Sequence, residues 1–282
     1  MKYLRKICFL AEHEKRNRVG KSPREAAAGQ LGSLTESASE KTDWEKLLSG
    51  EGVLCVCDDG ERAKKLSEAG IPVMAYLHEG SREQDFSGIK YAAEHPEELD
   101  ESYFERIYRR IKGIPWEILT TERCVIRETV VEDADAFFEI YANPQITKYT
   151  GRLSVDKEQE KRYIREYIEK VYGFYEFGIW TVLEKTTGSV IGRAGFSYRA
   201  GYEEPEIGYV ISAPWQGKGI AEEVCRAMLA YGREELGLER VNAFVDRENR
   251  ASLRLCEKLG FWEEERVITD GRECVRLLYS FL

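Results

Sequence analysis

Hydrophobic positions along this chain fall into two regimes that meet near residue 118. In the first, the apolar runs are short and unbroken: Val53-Leu-Cys-Val-Cys57, then Pro72-Val-Met-Ala-Tyr-Leu77. Strands that are apolar on both faces belong to parallel sheets covered on both sides. Between them residues 61–69 carry helical spacing and Gly70 supplies a stop, so the segment predicts a β-α-β unit. Ahead of it, Ser22-Pro23-Arg24-Glu25 is a capping box with proline at the first helical position, predicting a short helix over 23–30 and then a loop over 32–42. A helix over 102–112, followed by Gly113-Ile-Pro115, closes the regime.

In the second regime the periods alternate. Cys124-Val-Ile-Arg reads as a strand, and Thr129-x-x-Glu132 as a capping box for a helix over 131–142 that Asn143-Pro144 stops. A second helix fits 155–172. Strands over 179–183 and 190–198 flank Lys185-Thr-Thr-Gly188 as a hairpin, and a further strand starts at Glu206. A helix over 221–236, a strand over 241–245, a helix over 249–259 and a hairpin turning at Asp270-Gly271 complete the order β-α-α-β-β-β-α-β-α-β-β. The expected class is α/β (α+β): a mixed, mostly antiparallel sheet flanked by helices over 119–282, preceded by a smaller α/β domain over 1–118.

Composition narrows the function classes. At 282 residues, 43% hydrophobic and 33% charged, the chain can bury a core in each domain. Its net charge of −9 is spread: 19 Lys and Arg stand against 22 Asp and Glu over 1–118, and 23 against 29 in the rest. Neither half has the clustered positive charge that nucleic acid or an anionic membrane requires, and a cationic substrate fits better. Lys2, Arg5 and Lys6 imitate the start of a signal peptide, but the apolar run behind them is too short, and no window approaches a membrane span. Seven widely spaced cysteines then read as reduced thiols in cytoplasm. Cys55-x-Cys57 with His78 and His95 could form a metal set, but alternate cysteines in a buried strand read as packing, and no metal is expected.

The chemistry concentrates in one stretch, Glu206-Ile-Gly-Tyr-Val-Ile-Ser-Ala-Pro-Trp-Gln-Gly-Lys-Gly-Ile-Ala221, a buried strand feeding a glycine-rich turn that opens a helix. Gln216-Gly217-Lys218-Gly219-Ile220-Ala221 leaves backbone N–H groups unencumbered at the positive end of that helix, a seat for a phosphate or diphosphate. The spacing is neither that of a P-loop nor that of a dinucleotide fold. Gln216-x-x-Gly219-x-Ala221 resembles the acetyl-CoA pyrophosphate loop of the GNAT N-acetyltransferase superfamily. Asn249-Arg-Ala-Ser252-Leu-Arg-Leu-Cys256-Glu-Lys-Leu-Gly260-Phe261 is similar to its second cofactor block. The likeness covers about 119–282, and its wording is nearest to the ribosomal-protein N-terminal acetyltransferase-like branch.

That resemblance implies an acetyl-CoA-dependent N-acetyltransferase acting on a primary amine, a protein N-terminus or a small cationic amine, by direct transfer in a ternary complex. It implies that Gly217 to Ala221 grip the diphosphate with Lys218 adding charge and Gln216 bracing the loop. Val210 and Ile211 would pair with the pantetheine arm, and Asn249 and Ser252 would reach the cofactor. All three histidines precede residue 119, so the candidate base is a carboxylate acting through water, Glu206, with Glu203 and Glu204 just ahead; the alternative is an acidic loop, Glu204 included, that only attracts the cation. Many relatives carry a tyrosine seven residues after the asparagine; here that position is Cys256, a candidate acid or a small core filler, with Tyr209, Ser252 and Tyr279 as other donors. Tyr149 and Tyr175 are expected at the substrate mouth, with Tyr172, Phe174 and Trp180 mostly in the core. A homodimer is the partner to look for.

Two rival readings stay open. The missing tyrosine and the added front domain also suit a non-catalytic acyl-CoA-binding sensor. The β-α-β unit weakly resembles a degenerate haloacid-dehalogenase-like fold, with Asp58-Asp59 at a strand's carboxyl end. The nucleophilic Asp-x-Asp strand of such phosphatases has no counterpart, because the only earlier aspartate, Asp43, stands alone.

Overall fold

A computed structural model describes residues 3–10, 35–37, 51–154, 156–269 and 271–282, and the chain divides into two compact units, Met1–Trp116 and Glu117–Leu282. The helix expected over 23–30 lies outside the described residues.

The first unit is a five-stranded parallel sheet in the order β2-β1-β3-β4-β5, formed by β1 (Lys6–Leu10), β2 (Thr35–Ser37), β3 (Val53–Cys57), β4 (Val73–Tyr76) and β5 (Ala92–Ala93). The pleat sends alternate residues to opposite faces. Ile7, Phe9, Leu54 and Val56 pack with helix α2 (Glu101–Ile111) through Phe104 and Ile107, whereas Cys8, Leu10, Cys55 and Cys57 pack with α1 (Gly60–Glu68) through Ala63 and Leu66. Cys55 and Cys57 are therefore core residues facing one helix. Two departures from the sequence expectation stand out. The run behind Lys6, read only as too short for a signal, is the sheet's buried second strand. Within the loop expected over 32–42, Thr35–Ser37 hydrogen-bonds along β1, since an edge strand needs only backbone pairing and can be polar. Asp58, at the end of β3, is bonded by His78: Gly80 N donates to Nδ1, so Nε2 carries the proton it offers Asp58 at 3.1 Å.

The second unit is an eight-stranded sheet in the order β12-β13-β11-β10-β9-β8-β7-β6. Its strands are β6 (Glu117–Thr120), β7 (Cys124–Arg127), β8 (Ile179–Glu184), β9 (Val190–Ser197), β10 (Glu206–Ile211), β11 (Arg240–Asp246), β12 (Trp262–Thr269) and β13 (Arg272–Ser280). Every pairing is antiparallel except β10 with β11. β6 extends the sheet two residues ahead of the boundary expected at 119.

Helices cover both faces. α3 (Ala134–Tyr141), α4 (Pro144–Thr147) and α5 (Lys157–Tyr167) bury Phe137, Ile140, Ile146 and Ile164 on one side, with a π-helical turn, Ile168–Tyr172, after α5. On the other, α6 (Ile220–Glu234) presents Ile220, Val224, Cys225, Met228 and Leu229 as a helical stripe, beside α7 (Arg250–Leu259). The box expected at Thr129 and Glu132 gives way to another cap. Asp133 accepts from Val130 N at 3.0 Å, while Thr129 is drawn into the core by Tyr172 and Thr181.

Candidate functional site

The site is a defect in this sheet. β10 and β9 pair over six positions and β11 and β13 over seven, but β10 and β11 share one, Glu206 with Asn242. Asn242, fully buried, pins that point: its N–H donates to Pro205 O (2.8 Å), its side-chain amide donates to Glu204 O (3.0 Å), and its Oδ1 accepts from Arg276 Nε (2.9 Å). Beyond it the strands part. In an antiparallel ladder the N–H and C=O of one residue point to the same side and alternate along the strand. Pro205 O and Ile211 O face away from β9, the latter accepting from Gln216 Nε2 at 2.8 Å, so the amides of Tyr209 and Ile211 face the gap. The Val210 carbonyl lies instead against Gly192 of β9. The backbone pairing expected of Val210 therefore passes to its neighbours, and Val210 contributes its side chain.

At the open end the chain turns through Ala213–Trp215 into Gln216, Gly217 (φ 70°) and Gly219 (φ 78°), which begins α6 without a side-chain cap. Positive φ disfavours any residue with a Cβ there. A Cβ on Gly217 would meet nothing within 4 Å, so the turn is open to a ligand as well as conformationally selected. The uncapped amides of the first turn fit a diphosphate. Lys218, expected to add charge, stacks on Trp215 with Nζ 5.1 Å from the ring and does not line the adjoining cavity. Arg123 does more here: its guanidinium donates to Lys218 O (2.8 Å) and to Glu223 (2.6 Å). Nothing local in the sequence marked it.

Two cavities meet in the gap. One, of 610 Å³, runs past the loop along Gln216, Gly217, Gly219, Ile220 and Ala221, with Lys148 on its wall. The other, of 530 Å³, passes through the sheet to the α3–α5 side. Both are lined by Tyr149, Tyr209, Val210, Asn249 and Ser252. Asn249 caps α7 by accepting from Ser252 N (3.2 Å), which fixes Ser252 where its hydroxyl meets that of Tyr209 at 2.9 Å. Burial pushes the Tyr209 phenol up, so it stays protonated at neutral pH. Cys256 lines the second cavity, buried, and desolvation pushes its thiol up to about 11.

Register divides the chemistry between faces. Directly opposed residues share a face, so Glu206, Gly208 and Val210 stand with Ser197, Gly195 and Arg193 toward α3 and α5, while Tyr209 faces α6 and α7. Glu206 enters the second cavity already engaged, accepting from Arg199 Nε (2.7 Å) and Nη2 (3.3 Å). Tyr141, Tyr163, Tyr167, Arg193 and Asp246, none singled out from the sequence, complete the chamber. Three expected residues lie elsewhere. Glu204 pairs with Arg276 at 3.6 Å and lines neither cavity. Tyr175 belongs to a surface aromatic cluster with Phe174, Phe177 and Tyr198. Tyr279 stacks on Phe261 and Phe281, outside both cavities.

Residues 123–262 match the acetyltransferase (GNAT) domain. The uncharacterized N-acetyltransferase YoaA of Bacillus subtilis is 32% identical over 148 residues, 52% of this chain and 84% of that protein. The ribosomal protein uS5-alanine N-acetyltransferase of Escherichia coli is 28% identical over 176 residues, 57% of this chain and 88% of its own length. A solved acetyltransferase from Agrobacterium tumefaciens superposes with a TM-score of 0.50 at 23% identity, covering 57% of this chain and 92% of that one, a likeness of fold. Among the described residues no helix is long and apolar enough to cross a membrane.

Proposed function

The chain belongs to the GNAT acetyltransferase family, acyltransferases that use acetyl-CoA, and from that premise we propose that it moves the acetyl group onto a primary amine by direct transfer in a ternary complex. Acetyl-CoA supplies an acyl carbon activated as a thioester. What supports the reading is the junction where the two cavities meet, at Tyr209, Val210, Asn249 and Ser252, because it opens one point of the sheet from both faces.

On the loop side, the amides of Gly217 to Ala221 hold the diphosphate, with Gln216 tying the loop to Ile211 and Arg123 bracing it from behind. The Tyr209 and Ile211 amides, facing the gap, hold the arm as an added strand would and polarise the acyl carbonyl. On the α3–α5 side, Glu206 takes the amine proton through a water molecule, using a lone pair that Arg199 leaves. On the α6–α7 side, Tyr209, held by Ser252, offers a hydroxyl to the departing sulfur. Cys256 packs. It is buried in the core cluster with Cys225, Leu259 and Phe261, as a small filler would be.

In this reading 1–118 forms a separate, non-catalytic domain, the acceptor is a protein N-terminus or a small amine, and the protein works in the cytoplasm, with a second copy of the chain as the partner to test for. Free thiol release from acetyl-CoA, followed across a panel of primary amines, tests it. Amine-dependent release is expected, together with calorimetric binding of coenzyme A and of its desulfo analogue. Tight cofactor binding without release for any amine would replace the enzyme by a sensor.

A further inference from the structure

The loop that begins α6 is steered from outside itself. Glycine permits the left-handed turn at Gly217 and Gly219 but leaves the tilt of each peptide plane loosely set. One plane is fixed by a distant residue. As the α6 ladder begins, Glu223 N bonds Gly219 O at 3.0 Å, whereas Lys218 O accepts from Arg123 Nη1 at 2.8 Å. In a trans peptide the C=O and the following N–H point in opposite directions. A Lys218 carbonyl drawn toward Arg123 therefore turns the Gly219 N–H away from it, and that N–H meets no acceptor among the described residues.

Arg123 is itself held in place. It sits in the turn between β6 and β7, which Thr121 N closes on Cys124 O (2.8 Å) and Cys124 N closes on Thr121 Oγ1 (2.9 Å), while Arg123 O accepts from Lys185 N (2.9 Å). Glu223, one turn into α6, takes the main-chain N–H of Arg123 on Oε1 (2.8 Å) and its Nε on Oε2 (2.6 Å). Its carboxylate is only 16% exposed, so this charge-assisted pair is less open to water than a surface bridge. Nη1 is then free to take the loop carbonyl.

We infer that Arg123, oriented by Glu223, is a positioning residue for the acyl donor: it aims the Gly219 N–H at the diphosphate, and so makes the protein select coenzyme A thioesters over pantetheine thioesters that lack a diphosphate. The inference rests on the acetyltransferase reading and deepens it. Arg123 lines neither cavity, so it acts through the backbone it holds and not by touching the nucleotide. The loop's own cation does not replace it, because the Lys218 ammonium stacks on Trp215. Without the tether the loop would have to order its amides as the donor arrives, and that entropy would be subtracted from the affinity. A donor without a diphosphate makes no use of those amides and is indifferent to how they are aimed.

The test sets two donors side by side, acetyl-CoA and S-acetylpantetheine, in thiol release with one amine that the wild type accepts, and follows coenzyme A binding by calorimetry. In Arg123→Met, kcat/KM for acetyl-CoA relative to S-acetylpantetheine should fall tenfold or more, through KM for acetyl-CoA rather than kcat, and the Kd of coenzyme A should rise by a similar factor. That variant leaves the Glu223 charge unmatched near the diphosphate, so Arg123→Met combined with Glu223→Gln is measured too, and the loss should persist. Arg123→Lys, whose one ammonium serves Lys218 O or Glu223 but not both as the fork does, should recover part of it. An unchanged Kd for coenzyme A overturns the inference. So do equal falls for both donors, the mark of general loosening, and full recovery in the double variant, the mark of charge alone. A measurement on the wild type needs no variant to fold: with isotope-labelled glycine, the Gly219 amide resonance should move downfield when coenzyme A is added, and a resonance as still as that of Gly237 overturns the inference. Coenzyme A that fails to bind the wild type sinks the broader reading instead.

Discussion

Tyr209 and Ser252 place their hydroxyls 2.9 Å apart across the seam where β10 and β11 separate, one held by a strand and the other by the capped first turn of α7. The pair lies on the α6–α7 face, opposite the face that carries Glu206, so proton removal and proton supply are served from different sides of one opening.

Removing the phenol should therefore slow departure of the sulfur without loosening the cofactor. Tyr209→Phe is expected to lower kcat ten- to a hundredfold with KM for acetyl-CoA changed less than threefold, in the range of general acid contributions. Ser252→Ala should cost less, and the double variant should lose about as much as the larger single effect rather than the product of the two, because the two hydroxyls act as one unit. A kcat for Tyr209→Phe within twofold of wild type would remove this tyrosine from the reaction.

Glu206 tests the other face. Glu206→Gln keeps a partner for Arg199 yet cannot take up a proton, so kcat/KM for the amine should drop at least tenfold at neutral pH, and raising the pH, which supplies neutral amine from solution, should narrow the gap. A pH-independent loss, matched by an equal loss in Arg199→Gln, would show that the ion pair matters only as structure.

Gly219 begins α6 at φ 78°, and an added Cβ would lie 3.5 Å from Arg123 Nη2. Gly219→Val combines left-handed strain of about 1–2 kcal/mol with a branched side chain at the diphosphate amides. Calorimetric affinity for coenzyme A should fall tenfold or more, and Tm should drop by a few degrees. Gly237→Ala, also at positive φ (64°) but with no neighbour within 4 Å and away from both cavities, should lower Tm alone.

Local signals account for what could be read in advance. The loop is legible because Gly217 and Gly219 are needed for φ, and α7 because Asn249 and Gly260 cap its two ends; such demands are written into single positions. The sheet order follows from alternation and turn residues. The acceptor chamber obeys no such code. Arg193 occupies a strand position like any other, and only the Phe137 ring stacked on it and the cavity it lines with Tyr141 make it a half-buried cation. Glu204 and Tyr175 stand apart from both cavities for the same reason. Their chemistry suited the site, but Arg276 and the Phe174, Phe177 and Tyr198 rings claim them through contacts that the linear order does not announce.

Cys256 stands seven residues after Asn249, where the family resemblance implies a tyrosine, and its environment argues for packing. Because it is buried in the core cluster with Cys225 and Leu259, Cys256→Ala should leave turnover within a few-fold and cost stability through the small cavity it leaves. Alkylation by iodoacetamide should be slow at neutral pH. A hundredfold loss of kcat in this variant would return the proton to the sulfur.

Glu184 offers a pH-dependent measure of the second unit alone. It closes the β8–β9 hairpin by accepting from Thr187 Oγ1 (2.6 Å), Thr186 N (3.0 Å) and Thr187 N (2.7 Å), and these bonds hold its carboxyl down to about 2 from an ordinary 4.5. A carboxyl depressed in the folded state binds its proton more readily when unfolded, so its contribution is present in full above about 4.5 and is lost as the pH falls toward 2. Glu184→Gln should accordingly melt below wild type at pH 7, with the difference shrinking steadily between pH 4.5 and 2. A difference in Tm that stays constant across that window would mean that the glutamine keeps the turn's hydrogen bonds and that the charge contributes nothing.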